Sequence, residues 1–269
     1  LAAAIDLAAA GVAVTVVEKE ARPGGKARTL DVGGVAVDAG PTVFTKRDVF
    51  EALFERAGSR LDDHVRLSRP DVLARHWWSE GASLDLPNDA EGRVEAIGAF
   101  AGADAARGYV AFSAAAKRVH DLLDANFMRG SKVWPPGLMA RIGLTRIGDL
   151  IALRPYESLW KVLGEYFADP RLRQLFARYS TYCGSSPFAA PSTLMLIAHT
   201  EAEGVWLVDG GIAALATAMA DVARRMGVVI RCGEAVEEIL VAGGRTTGVR
   251  TARGDRIAAG QVVCNADPA

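Results

Sequence analysis

An α/β protein whose sheet domain is split by a mostly helical insertion is what this sequence encodes, and three observations say so. An alanine-rich segment, Leu1 to Ala10, closes at Gly11 and runs directly into the β-branched stretch Val12 to Val17. From Asp104 to Glu203 the apolar residues adopt helical spacing, broken by Gly and Pro. After Glu203 the period reverts, with one amphipathic helix followed by crowded strand-like runs. Helical spacing of three to four and strand alternation of two mark the two states.

The elements follow in order. Leu1, Ile5 and Ala8 share one face of a helix that Gly11 can end in a left-handed cap. Val12 to Val17 suits a strand buried on both faces, with Glu18 at its carboxyl end, so the pair reads as the αβ half of a βαβ unit. Thr29 to Val32 and Val35 to Asp38 flank Gly33-Gly34, a two-residue loop suited to a tight hairpin. Thr45 to Ala57 is helical, with Asp48 completing a box-like start and Gly58 the close. Strands are expected at Val72 to Trp78 and Ser83 to Leu86. Helices are expected at Asp104 to Phe127, Leu144 to Leu153, Tyr156 to Phe167, Arg171 to Tyr182 and Ser192 to Glu203. A strand at Val205 to Val208, a Gly210-Gly211 turn and a helix from Ile212 to Met226 come next. Strands follow at Val228 to Arg231, Val236 to Val241, Gly248 to Thr251 and Gln261 to Asn265. The expected organisation is a first sheet segment over 1–75, an insertion over 76–207 and a return segment over 208–269.

Bulk properties exclude several functions. The chain has 269 residues, half of them apolar, and a net charge of -1 without long single-sign runs. That lacks the basic footprint of a nucleic-acid binder. Cys183, Cys232 and Cys264 form no C-x-x-C pair, and His64, His76, His120 and His199 are scattered, so neither a disulfide framework nor a metal site is expected. No run reaches about eighteen uninterrupted apolar residues, so no spanning helix is expected. The chain starts and stops in mid-pattern, as a piece of a longer protein would.

Chemistry concentrates near the first strand. Glu18, at a strand's carboxyl end, could accept hydrogen bonds from a ribose diol, or it is a surface glutamate. Glu18-Lys19 is followed by Gly24-Gly25-Lys26-Ala27, where side-chain-free backbone can approach a phosphate and Lys26 can offset its charge. Asp38-Ala39-Gly40-Pro41-Thr42 can lie flat against a planar ring, or simply turn the chain.

These motifs, in the same order as Gly210-Gly211, Gly227, Val236-Glu237-Glu238-Ile239, Gly248-Val249 and Asn265-Ala266-Asp267-Pro268, resemble the phytoene desaturase family of flavoproteins along the whole chain. The stretch from Arg178-Tyr179 through Tyr182-Cys183-Gly184-Ser185-Ser186-Pro187, Ala190 to Leu194 and Glu201 to Trp206 most resembles the hydroxyneurosporene and methoxyneurosporene desaturase branch. The resemblance implies a Rossmann-like FAD-binding domain, incomplete at both ends. Glu18 would hold the adenosine ribose, Lys19, Gly24, Gly25 and Lys26 would line the cofactor, and Gly40, Pro41 and Thr42 would approach the flavin. Val236 would meet the adenine through its backbone. It implies FAD as cofactor and an acyclic carotenoid as substrate, and leaves the final electron acceptor, quinone or oxygen, open. It also implies a cytoplasmic protein lying on the inner membrane of a bacterium.

No side chain declares itself a catalytic base. Tyr182, His199 and Glu201 are the candidates, each with core packing as the rival reading. Phe127 to Trp160 mixes Trp134, Met139, Ile142 and Leu150 with Arg129, Lys132, Arg141, Arg146 and Arg154, a composition suited to lipid headgroups or to a helix packed on its own domain. Rival activities on the same scaffold are a carotenoid or retinoid isomerase or saturase, an amine-oxidase-like flavoenzyme, and the flavin-free prenyl binding of Rab GDP dissociation inhibitors.

Overall fold

The computed structural model describes residues 1–124, 128–129 and 153–266. It divides into two compact units: unit 1 is Leu1–Ser68 with Leu207–Ala269, and unit 2 is the continuous stretch Arg69–Trp206. The first cut therefore precedes the expected position after residue 75, which would sever a strand from its partner: Val72–Trp77 pairs antiparallel with Ser83–Pro87.

The first part of unit 1 contains α1 (Ala2–Ala9), β1 (Thr15–Glu18), β2 (Thr29–Val32), β3 (Val35–Asp38), α2 (Arg47–Arg56) and β4 (Leu67–Ser68). Unit 2 contains β5 (Val72–Trp77), β6 (Ser83–Pro87), α3 (Ala90–Ala101), α4 (Ala103–Leu123), α5 (Leu159–Tyr166), α6 (Pro170–Ala177) and α7 (Leu196–Glu203), with 3₁₀ turns at Arg178–Cys183 and Ser192–Met195. The return to unit 1 supplies β7 (Leu207–Val208), α8 (Ile212–Arg225), β8 (Val229–Cys232), β9 (Val236–Ala242), β10 (Arg245–Thr251) and β11 (Arg256–Ala258).

In unit 1, β1 and β8 run parallel, with Thr15 opposite Val229 and Glu18 opposite Cys232. A parallel pair needs a long crossover, and the intervening chain provides it. β1 is half-exposed among the described residues, not buried on both faces as its composition suggested. Ile5 and Phe54 are fully buried where α1 meets α2, and Arg56 Nε reaches Asp6 Oδ1 at 2.7 Å across the same contact. The β2–β3 hairpin has the expected register and turns on Gly33 and Gly34, at φ 63° and 85°. Those left-handed values are what a two-residue loop between twisted strands demands. β9, β10 and β11 form a separate antiparallel sheet.

Two local expectations fail for identifiable reasons. α2 begins after a left-handed Lys46 that makes no side-chain cap hydrogen bond, so the helix starts at Arg47 and not at Thr45, with Asp48 in its first turn. The strand expected at Gln261 to Asn265 is absent, and Arg256–Ala258 pairs with β10 in its place because the turn at Gly254 brings it back.

Unit 2 is built around Phe112 of α4, which is fully buried. Its ring lies 5.0 Å from Phe176, 5.5 Å from Phe167 and 5.8 Å from Tyr166, so one aromatic side chain joins α4, α5 and α6. α5 and α6 start on Ser158 and Asp169, whose side chains accept backbone N–H groups of the first turn. Asn88 closes the unit: its Nδ2 donates to the carbonyls of Pro70 and Val205, near the two ends of the stretch. The helix expected at Leu144 to Leu153 and most of Phe127 to Trp160 lie outside the described residues.

α4 approaches the end of α5 through Gly108, where a Cβ would overlap the Tyr166 carbonyl oxygen. Gly108→Ala should therefore cost about 1–3 kcal/mol despite the better helix propensity of alanine. Urea unfolding measures this, and a wild-type midpoint would show that the two backbones separate freely.

Candidate functional site

The residues expected at a cofactor fall into two neighbouring groups within unit 1. Glu18 sits at the carboxyl end of β1, and its Oε1 accepts the Glu20 N–H at 2.9 Å. The carbonyls of Glu18 and Glu20 accept N–H bonds from Glu234 and Gly233. This lays Glu18 beside the segment that leads into Val236, the first residue of β9, so these two predicted contacts share one end of the β1–β8 pair. Lys19 extends to solvent near Glu20.

The second group joins three stretches. Gly24 has φ 140°, and a Cβ there would press on the Ala27 carbonyl and on Ala216 of α8. Gly40 lies against the Lys26 carbonyl too closely for any side chain, and Ala39 N–H bonds to the Arg28 carbonyl. Pro41 and Thr42 are exposed. Both Asp38 carboxylate oxygens lie 3.1 Å from the Ile212 N–H, and Gly211, at φ 81°, admits that carboxylate because it has no side chain. Gly210-Gly211 thus opens α8 to an internal carboxylate. That charge opposes a phosphate at the same helix end, so α8 is not the element to bind one.

A dinucleotide flavin is testable against these residues. The Glu18 carboxylate, at a strand's carboxyl end beside the segment that leads to the exposed Val236, has the acceptor chemistry for a ribose diol, and Gly24 and Gly40 sit where a side chain would meet backbone. The residues fit the adenosine half of such a cofactor.

In unit 2 the catalytic candidates separate. The buried Glu201 carboxylate receives Arg178 through Nη1 at 3.1 Å and Nη2 at 2.7 Å, Tyr179 Oη at 3.2 Å and Tyr182 Oη at 2.8 Å. Burial and the adjoining Glu201 charge push the Tyr179 phenol well above its ordinary value. The same two causes raise Tyr182 to about 12. Burial opposes the Arg178 charge, yet the surrounding Tyr179 and Glu201 hold its affinity for the proton above normal. Burial, reinforced by Arg178, lowers His76. Four donors on one carboxylate leave no lone pair directed at a substrate, so Glu201 is the hub of a structural network, and both phenols stay protonated near neutrality.

His199 belongs to a different cluster. Two positions from Glu201 on α7, it faces another way and meets His120 of α4, with ring centroids 4.8 Å apart. Burial, then His120, lowers its affinity for a proton. The histidines that look scattered in sequence are therefore partly assembled by the α4–α7 contact, which no local pattern announces. Arg178 was visible only as part of a motif, since its partner lies on another element. At the described end of the basic and aromatic stretch, Leu153 is buried and Arg154 bonds Glu157 and Glu165 within unit 2.

Tyr182 carries a pH consequence. Its folded value lies above the ordinary 10, so its hydrogen bond contributes fully below about pH 10 and is lost as pH rises toward 12. Tyr182→Phe should cost about 1 kcal/mol at neutral pH, a charged hydrogen bond discounted because the residue is 54% exposed, and should flatten the alkaline decline in stability. Unfolding curves across pH 8–12 check both effects.

The model of the family "Flavin containing amine oxidoreductase" matches residues 1–269. The chain is 44% identical to the hydroxyneurosporene desaturase of Rubrivivax gelatinosus, over 99% of this chain and 51% of that protein. It is 46% identical to the hydroxyneurosporene desaturase of Cereibacter sphaeroides, over 100% of this chain and 54% of that protein. The chain spans about half the length of the curated relatives it matches. Among solved structures, an oxidoreductase from Methanosarcina mazei superposes with a TM-score of 0.61 at 16% identity, covering 96% of this chain and 54% of that one, a likeness of fold. No helix among the described residues is long and apolar enough to cross a membrane. The chain belongs to the flavin-containing amine oxidoreductase family.

Proposed function

We propose that this chain is part of an FAD-dependent desaturase acting on an acyclic carotenoid, with a 1-hydroxy or 1-methoxy carotenoid preferred and 3,4-desaturation as the reaction. The observation that carries the reading is 41–46% identity to three hydroxyneurosporene desaturases along essentially the whole chain. A bound flavin supplies the hydride acceptor. Glu18 holds the ribose, Lys19, Gly24, Gly25 and Lys26 line the cofactor, Gly40, Pro41 and Thr42 face the ring system, and Val236 borders the adenine. Unit 2 contributes the carotenoid surface. Its Glu201 network acts by position, since the saturated carboxylate and protonated phenols accept no proton from a substrate. The protein works at the membrane surface, where its substrate dissolves, and Arg141 and Arg146 supply the basic contacts to anionic headgroups.

The deciding experiment is competition between 1-hydroxyneurosporene and phytoene in liposomes. A desaturase product is two hydrogens lighter, whereas an isomerase leaves mass unchanged and a saturase raises it. A tunnel that hydrogen-bonds a hydroxyl rejects the hydrocarbon, because its own polar groups are then left unpaired. Equal or faster turnover of phytoene overturns the branch preference. In the flavin-bearing protein, Glu18→Ala should weaken FAD retention by about 1.5–3 kcal/mol. Unchanged flavin occupancy removes Glu18 from the site.

A further inference from the structure

α4 and α7 bring two histidines and three carboxylates together in unit 2, outside the surfaces assigned above. His120 and His199 present ring nitrogens that lie, with a carboxylate oxygen of Asp121, within 4.8 Å of one another. Nδ1 of His120 is 3.6 Å from Asp121 Oδ1. Its other nitrogen, Nε2, is 3.7 Å from Glu203 Oε2 and 3.9 Å from Asp124 Oδ1. His199 Nε2 is 4.0 Å from Glu203 Oε1. The His120 side chain is almost wholly buried, at 4% exposure, while Asp121 is half exposed, so the cluster has an enclosed floor and an open mouth.

We propose that His120, Asp121 and His199 bind one divalent transition-metal cation of the zinc and cobalt class, with Glu203 and Asp124 orienting the rings. Metal–nitrogen bonds of about 2.0–2.1 Å place neighbouring donors about 3.3 Å apart around a tetrahedral ion, so modest side-chain rotations close the site. Two imidazoles with one carboxylate suit zinc, cobalt or nickel, whereas calcium and magnesium take all-oxygen sets. Three protein ligands leave one position for water. The outer carboxylates match the usual arrangement in which a ligating imidazole gives its second N–H to an acid. Lys117 bonds Asp121 Oδ2 and Arg129 bonds Asp124 Oδ2, while the Oδ1 atom of each acid faces His120. The ion ties α4 to α7 and so stabilises the unit by mass action.

The test uses the full chain carrying Cys183→Ser, Cys232→Ser and Cys264→Ser, which removes thiolate ligands. Titration with Co²⁺, read by visible d–d absorption, and with Zn²⁺, read by calorimetry, should give one equivalent bound and a raised thermal midpoint. Asp121→Asn and His199→Asn should each weaken binding by about tenfold or more, and Glu203→Gln by about 10–100-fold, as loss of an outer carboxylate does. His64→Asn should bind as the parent does. Absence of saturable binding overturns the site, as does unchanged affinity in Asp121→Asn or equal weakening in His64→Asn. Asp121 is exposed, so its variant decides the matter even if His199→Asn fails to fold.

Discussion

Arg178→Met should lower the unfolding free energy of the protein by about 3–5 kcal/mol, because it leaves the Glu201 carboxylate buried without its cation. Glu201 is only 5% exposed, and both remaining donors, Tyr179 and Tyr182, are neutral hydroxyls. Desolvation of a carboxylate costs far more than two phenols return. The pair itself is not a large source of net stability, since its members give up hydration to meet. The double variant Arg178→Met with Glu201→Leu should therefore lose less than Arg178→Met alone. Urea unfolding followed by far-UV circular dichroism distinguishes the cases. A loss below about 1 kcal/mol for the single variant would mean that water already reaches Glu201.

Phe112→Ala should cost a comparable amount, about 3–5 kcal/mol. The ring is fully buried and edges onto Tyr166 and Phe167 while tilting against Phe176, so its removal opens a void that three helices border. Collapse into that void would require α4 to move toward α5 and α6, and α4 already meets the Tyr166 backbone at Gly108. Phe188, 66% exposed, is the matched comparison: Phe188→Ala should change stability by less than about 1 kcal/mol. Equal losses at the two positions would refute the assignment of Phe112 as the centre of unit 2.

How legible these features were depends on whether their cause is local. The hairpin from Thr29 to Asp38 and the helix from Ile212 to Arg225 were readable because paired glycines and amphipathic spacing act within a few residues. The helix Ala90–Ala101 was not expected, although Asp89 caps it through the Gly92 N–H. Its alanines and glycines dilute the spacing of Val94, Ile97 and Phe100, which has meaning only once the unit 2 core is present. At the candidate site, Glu18 was readable from its strand-end position. The contact of its backbone with Glu234 was not, because it joins segments remote in sequence. The role of Glu201 was hidden for the same reason, as its partners come from the turn Arg178–Cys183.

The division of unit 1 into two stretches of chain sets an order of synthesis. β1 is made early, but its parallel partner β8 emerges only after every residue of Arg69–Trp206 has been translated. Until then, the carbonyls of Glu18 and Glu20 lack the Glu234 and Gly233 N–H groups that they accept in the fold. Unit 2 can nucleate on nearby helix contacts, which form fast, whereas pairing across so long a loop is slow. The nascent first stretch is therefore the part of this protein most in need of a chaperone while the ribosome is still at work.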